Sequence, residues 1–169
     1  PEEDKTYEIH TAEDLDLIRQ HPDASFTLKT DLTLSGVFQP IPELKGNLDG
    51  AGHTISGLTI STTDASAALI LQNNGTIRNL GLTDVQIDGP YTPDKSWRAA
   101  LCIKNYGTIE QCYALGSVKG GHRNGGLVSE NYNTIQNCYF LGDLESNWET
   151  GGITSFNYNG SATVKNCYA

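Results

Sequence analysis

The side chains in this sequence that could do acid–base or metal chemistry are scattered singly. His10, His21, His53 and His122 have no cysteine or aspartate at zinc-ligand spacing, and no HExxH pair is present. There is no G-x-S-x-G nucleophile elbow and no phosphate-cradling glycine loop. Carboxylates come nearest to a constellation: Asp84, Asp88 and Asp94 fall in one segment, and Asp143, Glu145 and Glu149 in another. Two carboxyl groups across a cleft could act as acid and base on a glycoside or uronic acid, or several could ligate calcium. Spacing across irregular loops does not set them against one another, and acidic loops ordinarily just solvate a surface. The expectation is a chain without catalysis, cofactor or metal, with a polysaccharide-acting enzyme as the minor alternative. Asn74-Gly75-Thr76 and Asn159-Gly160-Ser161 match glycosylation sequons, but both are also ordinary turn sequences.

The organisation behind these residues is a repeat. Anchored on the isoleucine of a "TI" step, copies align at Ile55, Ile77, Ile109, Ile135 and, in the last copy, Val164, with spacings of 22, 32, 26 and 29. Three residues on come Leu58, Leu80, Cys112, Cys138 and Cys167; five on come Ile60, Leu82, Ala114, Phe140 and Ala169. Upstream, Leu69, Leu101, Leu127 and Ile153 each precede an asparagine by four residues, giving the series Asn73, Asn105, Asn131 and Asn157. Short strands separated by Gly, Asn and Thr cannot bury a face alone; stacked coils bury a continuous column, so each coil places similar residues at equal positions. A position that accepts leucine or cysteine reads as a buried apolar slot holding free thiols, although neighbouring strands lie close enough to permit a disulfide. The asparagines read as amides that hydrogen-bond the coils above and below, in turns whose left-handed backbone asparagine tolerates.

One edge of the stack differs. Segments of unequal length, Asp88 to Arg98, Lys119 to Asn124 and Glu145 to Thr150, occupy equivalent places and carry Tyr91, Trp97, Arg98, His122, Arg123 and Trp148. Variable insertions at one position map to one face of a solenoid, often its binding face. Aromatic rings beside hydrogen-bonding groups can stack on sugars or anchor a peptide; the competing reading is that these rings cover the coil locally.

Composition bounds the class. At 169 residues the chain is one domain's worth, and 18 glycines with 18% charged residues favour strands and turns. A net charge of -9 argues against a nucleic-acid or anionic-membrane partner, and no apolar run approaches the roughly 20 residues that cross a bilayer. Residues 1–6 read as a polar terminus or linker. Residues 7–53 read as an N-terminal capping region whose short helix, about 12–20, starts on a Thr11 hydroxyl cap. Residues 54–169 read as the coils, broken off in mid-repeat, as in a piece of a longer protein.

The stretches IHTAEDLDLIRQ, FTLKTDLTLSGVFQPIPELKGNLDGAGHTISGLTI and GGLVSENYNTIQNCYFLGDL resemble bacterial surface proteins with GLUG repeats, including the N-terminal regions of streptococcal IgA1-type zinc metallopeptidases and large adhesins. The resemblance covers Tyr7 to Ala169. It implies an all-β, right-handed parallel β-helix with a short N-terminal helical cap, outside the cell. It further implies a non-catalytic module attached to something else; the repeat register and the lack of an assembled active site give the expectation of a spacer, adhesin or exosite whose partners are other domains of the same polypeptide and host glycoproteins or glycans. The first full copy, ASAALILQNNGTIRNLGL, lacks the glycine pair and the cysteine of that pattern.

Overall fold

A computed structural model describes residues 5–63, 65–91, 96–158 and 160–169. Pro1 to Asp4, within the expected terminus, together with Asp94 and Asn159, fall outside the described residues. The chain is a parallel β-solenoid of about five turns. Each full turn visits four sheets in the same order. The first turn so completed runs through Asn47–Asp49, Thr54–Ser56, Ser66–Ala67 and Ile70–Asn73, and Thr76–Arg78 then returns to the first sheet; the next runs through Thr76–Arg78, Gly81–Asp88, Trp97–Ala99 and Cys102–Asn105. We call the sheets A, B, D and C in that order. Every pairing is parallel.

The register shows why short, turn-rich strands suffice. Ile77, Ile109, Ile135 and Val164 pair in succession on sheet A; Leu82, Ala114 and Phe140 do so on sheet B. Ile77, Ile109, Ile135, Leu82, Ala114 and Phe140 are buried in a single apolar column with Leu69, Leu101 and Leu127. Complete burial of a Leu, Ile or Phe contributes about 1.5–3 kcal/mol each, which strands of three or four residues obtain only by stacking.

Two sequence expectations are corrected here. The residue above Ile77 is Leu48, whereas Ile55 lies on sheet B against Leu82 and Leu32. Likewise Ile60 pairs with Ile87 and not with a residue equivalent to Leu82. The turn Asp49-Gly50-Ala51-Gly52, with Ala51 and Gly52 at φ 50 and 85, lengthens this corner and carries a second TI step onto the next sheet, where it mimics the anchor. The ladders also run upstream of residue 54: Ser25–Leu28 pairs with both Thr6–Ile9 and Asn47–Asp49 on sheet A.

The helix comprises a 3-10 turn, Glu13–Leu15, and Asp16–Gln20, and it buries Leu15 and Ile18. Its cap is the second correction. No side-chain hydroxyl caps it; instead Asp14 Oδ2 accepts the backbone N–H groups of His10 and Thr11, both at 2.8 Å. The acid at the third position does the capping because it reaches back over two open donors at once. The His10 N–H, with that of Thr11, holds the Asp14 carboxyl below the ordinary aspartate range. The Thr54 N–H does the same for Asp31. At Asp49, burial opposes the shift, but the Ala51 N–H, Asn79 and Arg78 together still lower it.

A lowered native pKa adds stability above the unfolded aspartate value of about 4 and loses it as pH falls through the native value. The urea midpoint is therefore expected to fall as pH is taken from about 5 to about 3, with Asp14→Asn removing part of that slope. A midpoint flat across this window, or an unaltered slope in Asp14→Asn, contradicts the capping role.

Candidate functional site

The asparagine series forms a continuous amide ladder, buried at Asn73, Asn105 and Asn131 and exposed at its last member, Asn157. Asn73 Nδ2 donates to Asn105 Oδ1 at 2.8 Å, Asn105 to Asn131 at 2.9 Å, and Asn131 to Asn157 at 2.8 Å. Asn73, Asn131 and Asn157 also tie their own turns, as Asn131 Nδ2 does to Asn133 O at 2.9 Å, while Asn105 Nδ2 reaches Thr134 O in the next coil at 3.2 Å. The left-handed residues are a different column, Asn79, Gln111, Asn137 and Asn166, with φ of 52–54°. The sequence reading gave both roles to one series; the inner asparagines only bond.

Cys112, Cys138 and Cys167 stack below Leu80 as free thiols, and Cys102 is a fourth, buried on sheet C. Each sulfur of the column faces carbonyls: Cys138 Sγ lies 3.1 Å from Gln136 O and 3.8 Å from Ile109 O. Burial pushes the Cys102 thiol up to about 12 and raises that of Cys112. Cys138→Ser is expected to destabilise by about 1–2 kcal/mol in chemical denaturation, because the desolvated hydroxyl is partly compensated by these carbonyls. A stabilising effect would show that the slot is not apolar.

The unequal segments meet at one corner, between sheets B and D. Gly121 N donates to Pro90 O and Asn147 N to Gly121 O, so the three loops stack. Tyr91 is 46% exposed, and the neighbouring Glu145 carboxylate raises its pKa. His122 and Trp148 stack with centroids 5.6 Å apart, and Trp148 is 72% exposed. The other three candidates turn inward or are tied down. Trp97 packs on Ala68, Ala99 and Ile103. Arg123 lies in register between Trp97 and Glu149, with Nε 2.7 Å from Glu149 Oε2 and its guanidinium 5.2 Å from the Phe156 ring centre.

Arg98 corrects its assignment to the edge: it is fully buried, with Nη1 3.4 Å from Trp97 O and Nη2 3.5 Å from Thr62 O. Strand alternation sends Arg98 inward where its neighbour Trp97 points out. Gly89 makes room, since a Cβ there would lie 2.5 Å from Arg98 Nη2.

The carboxylates split as well. Asp84, Asp88 and Asp143 line one groove of about 620 Å³ on the outer face of sheet B, with Gln86, Ser117 and Lys119. Glu145 and Glu149 lie at the corner beside Tyr91 and Arg123. No group of three His, Cys, Asp or Glu among the described residues is arranged to hold a metal. No helix among them is long and apolar enough to cross a membrane.

Sequence reading missed two tyrosine columns. Tyr106, Tyr132 and Tyr158 stack at 4.5 and 4.3 Å, and Tyr113, Tyr139 and Tyr168 at 4.9 and 5.0 Å. The signal was present: three Asn-Tyr and three Cys-Tyr pairs sit at repeat positions already aligned. It also missed Glu130, 4% exposed, which accepts the hydroxyls of Tyr132 at 3.2 Å and Tyr158 at 3.3 Å and lies 3.7 Å from Arg123 Nη1. Burial, then the Glu130 charge, raises the Tyr132 pKa. Rings stacked on one another have their faces occupied, so these columns are mainly cohesive.

Continuous inner ladders, with irregularity confined to one corner and one outer groove, define a β-solenoid scaffold. A 93-residue stretch, 53% of the chain, is 40% identical to part of halomucin from Haloquadratum walsbyi, and the match covers 1% of that protein. The fold is similar to a crystal structure from Bacteroides ovatus described as an immunoglobulin A1 protease. That likeness has a TM-score of 0.52 and 17% identity over 98% of this chain and 75% of the other, which bears on the fold alone. No family model matches the chain.

Proposed function

We propose that this chain is a non-catalytic β-solenoid module of the GLUG-repeat kind, in a secreted or surface-anchored protein. It serves as a spacer, adhesin or exosite that presents or targets a partner domain. The carrying observation is the uninterrupted asparagine ladder, which commits the inner polar groups of successive coils to one another. The likeness to halomucin supports an extracellular setting, and attachment to a larger enzyme is proposed by analogy with the immunoglobulin A1 protease description of the fold neighbour. Partners are other domains of the same polypeptide and host glycoproteins or glycans.

The purified protein is expected to leave peptides, mucin and polysaccharides uncut. Hydrolysis abolished by one substitution among Asp84, Asp88, Asp143 or Glu149 would overturn the module reading in favour of an enzyme. A second reading, glycoprotein recognition at the loop corner, is favoured by the exposed Trp148 ring braced on His122. It predicts that Trp148→Ala abolishes binding on a glycan array while Trp97→Ala, a packing residue, mainly lowers stability.

A further inference from the structure

The groove on sheet B is built by the sheet itself and does not depend on the loop corner. The ladder between Gly81–Asp88 and Tyr113–Lys119 shifts register between Leu82 and Val85, where Asp84 adopts φ 51. A bulge of this kind bends a strand and re-aims its side chains. In the next two coils the same place holds paired glycines, Gly116 and Gly142, at φ 148 and 155. A Cβ there would lie 2.2 Å from Val85 O or 1.8 Å from Gly116 O, so the floor is bare backbone. Beside it runs a row of hydrogen-bonding side chains in register, Gln86, Ser117 and Asp143, one per coil, at strand spacings of about 4.8 Å. Leu141, two residues before Asp143 on the same strand and outside the groove lining, is 50% exposed.

We propose that this groove binds an extended, uncharged oligosaccharide. An amide, a hydroxyl and a carboxylate in a line offer both donors and acceptors to sugar hydroxyls, and Leu141 offers apolar surface to sugar C–H faces. The volume of about 620 Å³ falls in the range of ligand sites, about 300–1,000 Å³. Two of the acids are already engaged, Asp84 by the Ser56 hydroxyl at 2.7 Å and Asp143 by Lys119 at 3.8 Å. With Asp143 paired to Lys119, the row begins with the neutral amide of Gln86 and hydroxyl of Ser117, which favours a sugar over a basic peptide. Its acidic balance, in a chain of net charge -9, repels uronate, sulfated or sialylated chains. The proposal rests on the module reading for its role in targeting, and the two fail separately: cleavage of a probe overturns the module, whereas absence of binding overturns the site.

The test is calorimetric titration of the whole protein with cellohexaose, laminarihexaose, chitohexaose and mannohexaose, beside oligogalacturonate and hexalysine. At least one neutral hexasaccharide is expected to bind. Ser117→Trp, which fills the groove, is expected to weaken that binding roughly tenfold or more with an unchanged melting temperature. Gln86→Ala, at an exposed strand position, gives a second reading should Ser117→Trp fail to fold, with an expected loss of roughly fivefold. Trp148→Ala should leave binding unchanged. No neutral binding up to about 10 mM, preference for oligogalacturonate, binding of hexalysine alone, or loss in Trp148→Ala but not in the groove variants would overturn the proposal.

Discussion

Asn131→Ala is expected to be among the most damaging single changes in the chain, costing about 3–5 kcal/mol in equilibrium unfolding. The Asn131 amide is fully buried and at the centre of the ladder. Its Nδ2 donates to Asn157 Oδ1, Asn133 O and Thr163 O, and its Oδ1 accepts from Asn105 Nδ2. Truncation strands several of these partners in the column, each unsatisfied group costing about 1–3 kcal/mol less whatever relaxation recovers. Asn131→Asp should be no milder, because an acid keeps the acceptor but places a second acceptor, with charge, against three carbonyl-type oxygens. Asn73→Ala should be markedly milder. It stands at the ladder's upper end, beneath Leu44, so no amide from the preceding coil depends on it. Equal losses at Asn73 and Asn131 would show that the ladder does not act as a connected chain.

The second large effect concerns size complementarity between coils. Gly126 is packed so that a Cβ would lie 2.0 Å from Gly152 O and 2.5 Å from the Phe140 ring. One coil earlier, the register places Ala100 where Gly126 stands and Ala114 where Phe140 stands. Glycine against phenylalanine replaces alanine against alanine. Gly126→Ala is therefore expected to cost about 3 kcal/mol by overpacking, and Phe140→Ala about 3–5 kcal/mol through the cavity it leaves. The double variant approximates the pairing of the earlier coil and should be less destabilised than the sum, with a coupling of about 1–2 kcal/mol. Additive losses would mean that the two positions do not share the space.

These residues also show how much could be read from the chain. The solenoid was legible because stacking demands the same residue type at the same position, and Ile77, Ile109, Ile135 and the asparagines obey that demand without reference to distant sequence. The first anchor slipped because Thr54-Ile55 repeats the local pattern one corner later; strand period alone does not say on which sheet a TI step falls. Arg98 was misplaced because alternation within a three-residue strand is too short to read beside an irregular loop, and its burial depends on the room left by Gly89 in its own coil and Gly121 in the next. The tyrosine columns were readable and were passed over. The groove was not readable: it arises from a bulge at Asp84 and the glycines Gly116 and Gly142, and stacking sets Asp143 near Asp84 and Asp88 although it lies on a strand two coils further on.

The division of labour between a rigid column and recognition surfaces outside it can be tested by native-state hydrogen exchange on the intact protein. The account predicts that amides of Cys102–Asn105, Thr108–Glu110, Val128–Asn131 and Thr134–Gln136 exchange only through global unfolding, while those of 120–123 and 145–150 exchange through local opening. Corner loops as protected as the ladder, or ladder amides exchanging as fast as the loops, would contradict it.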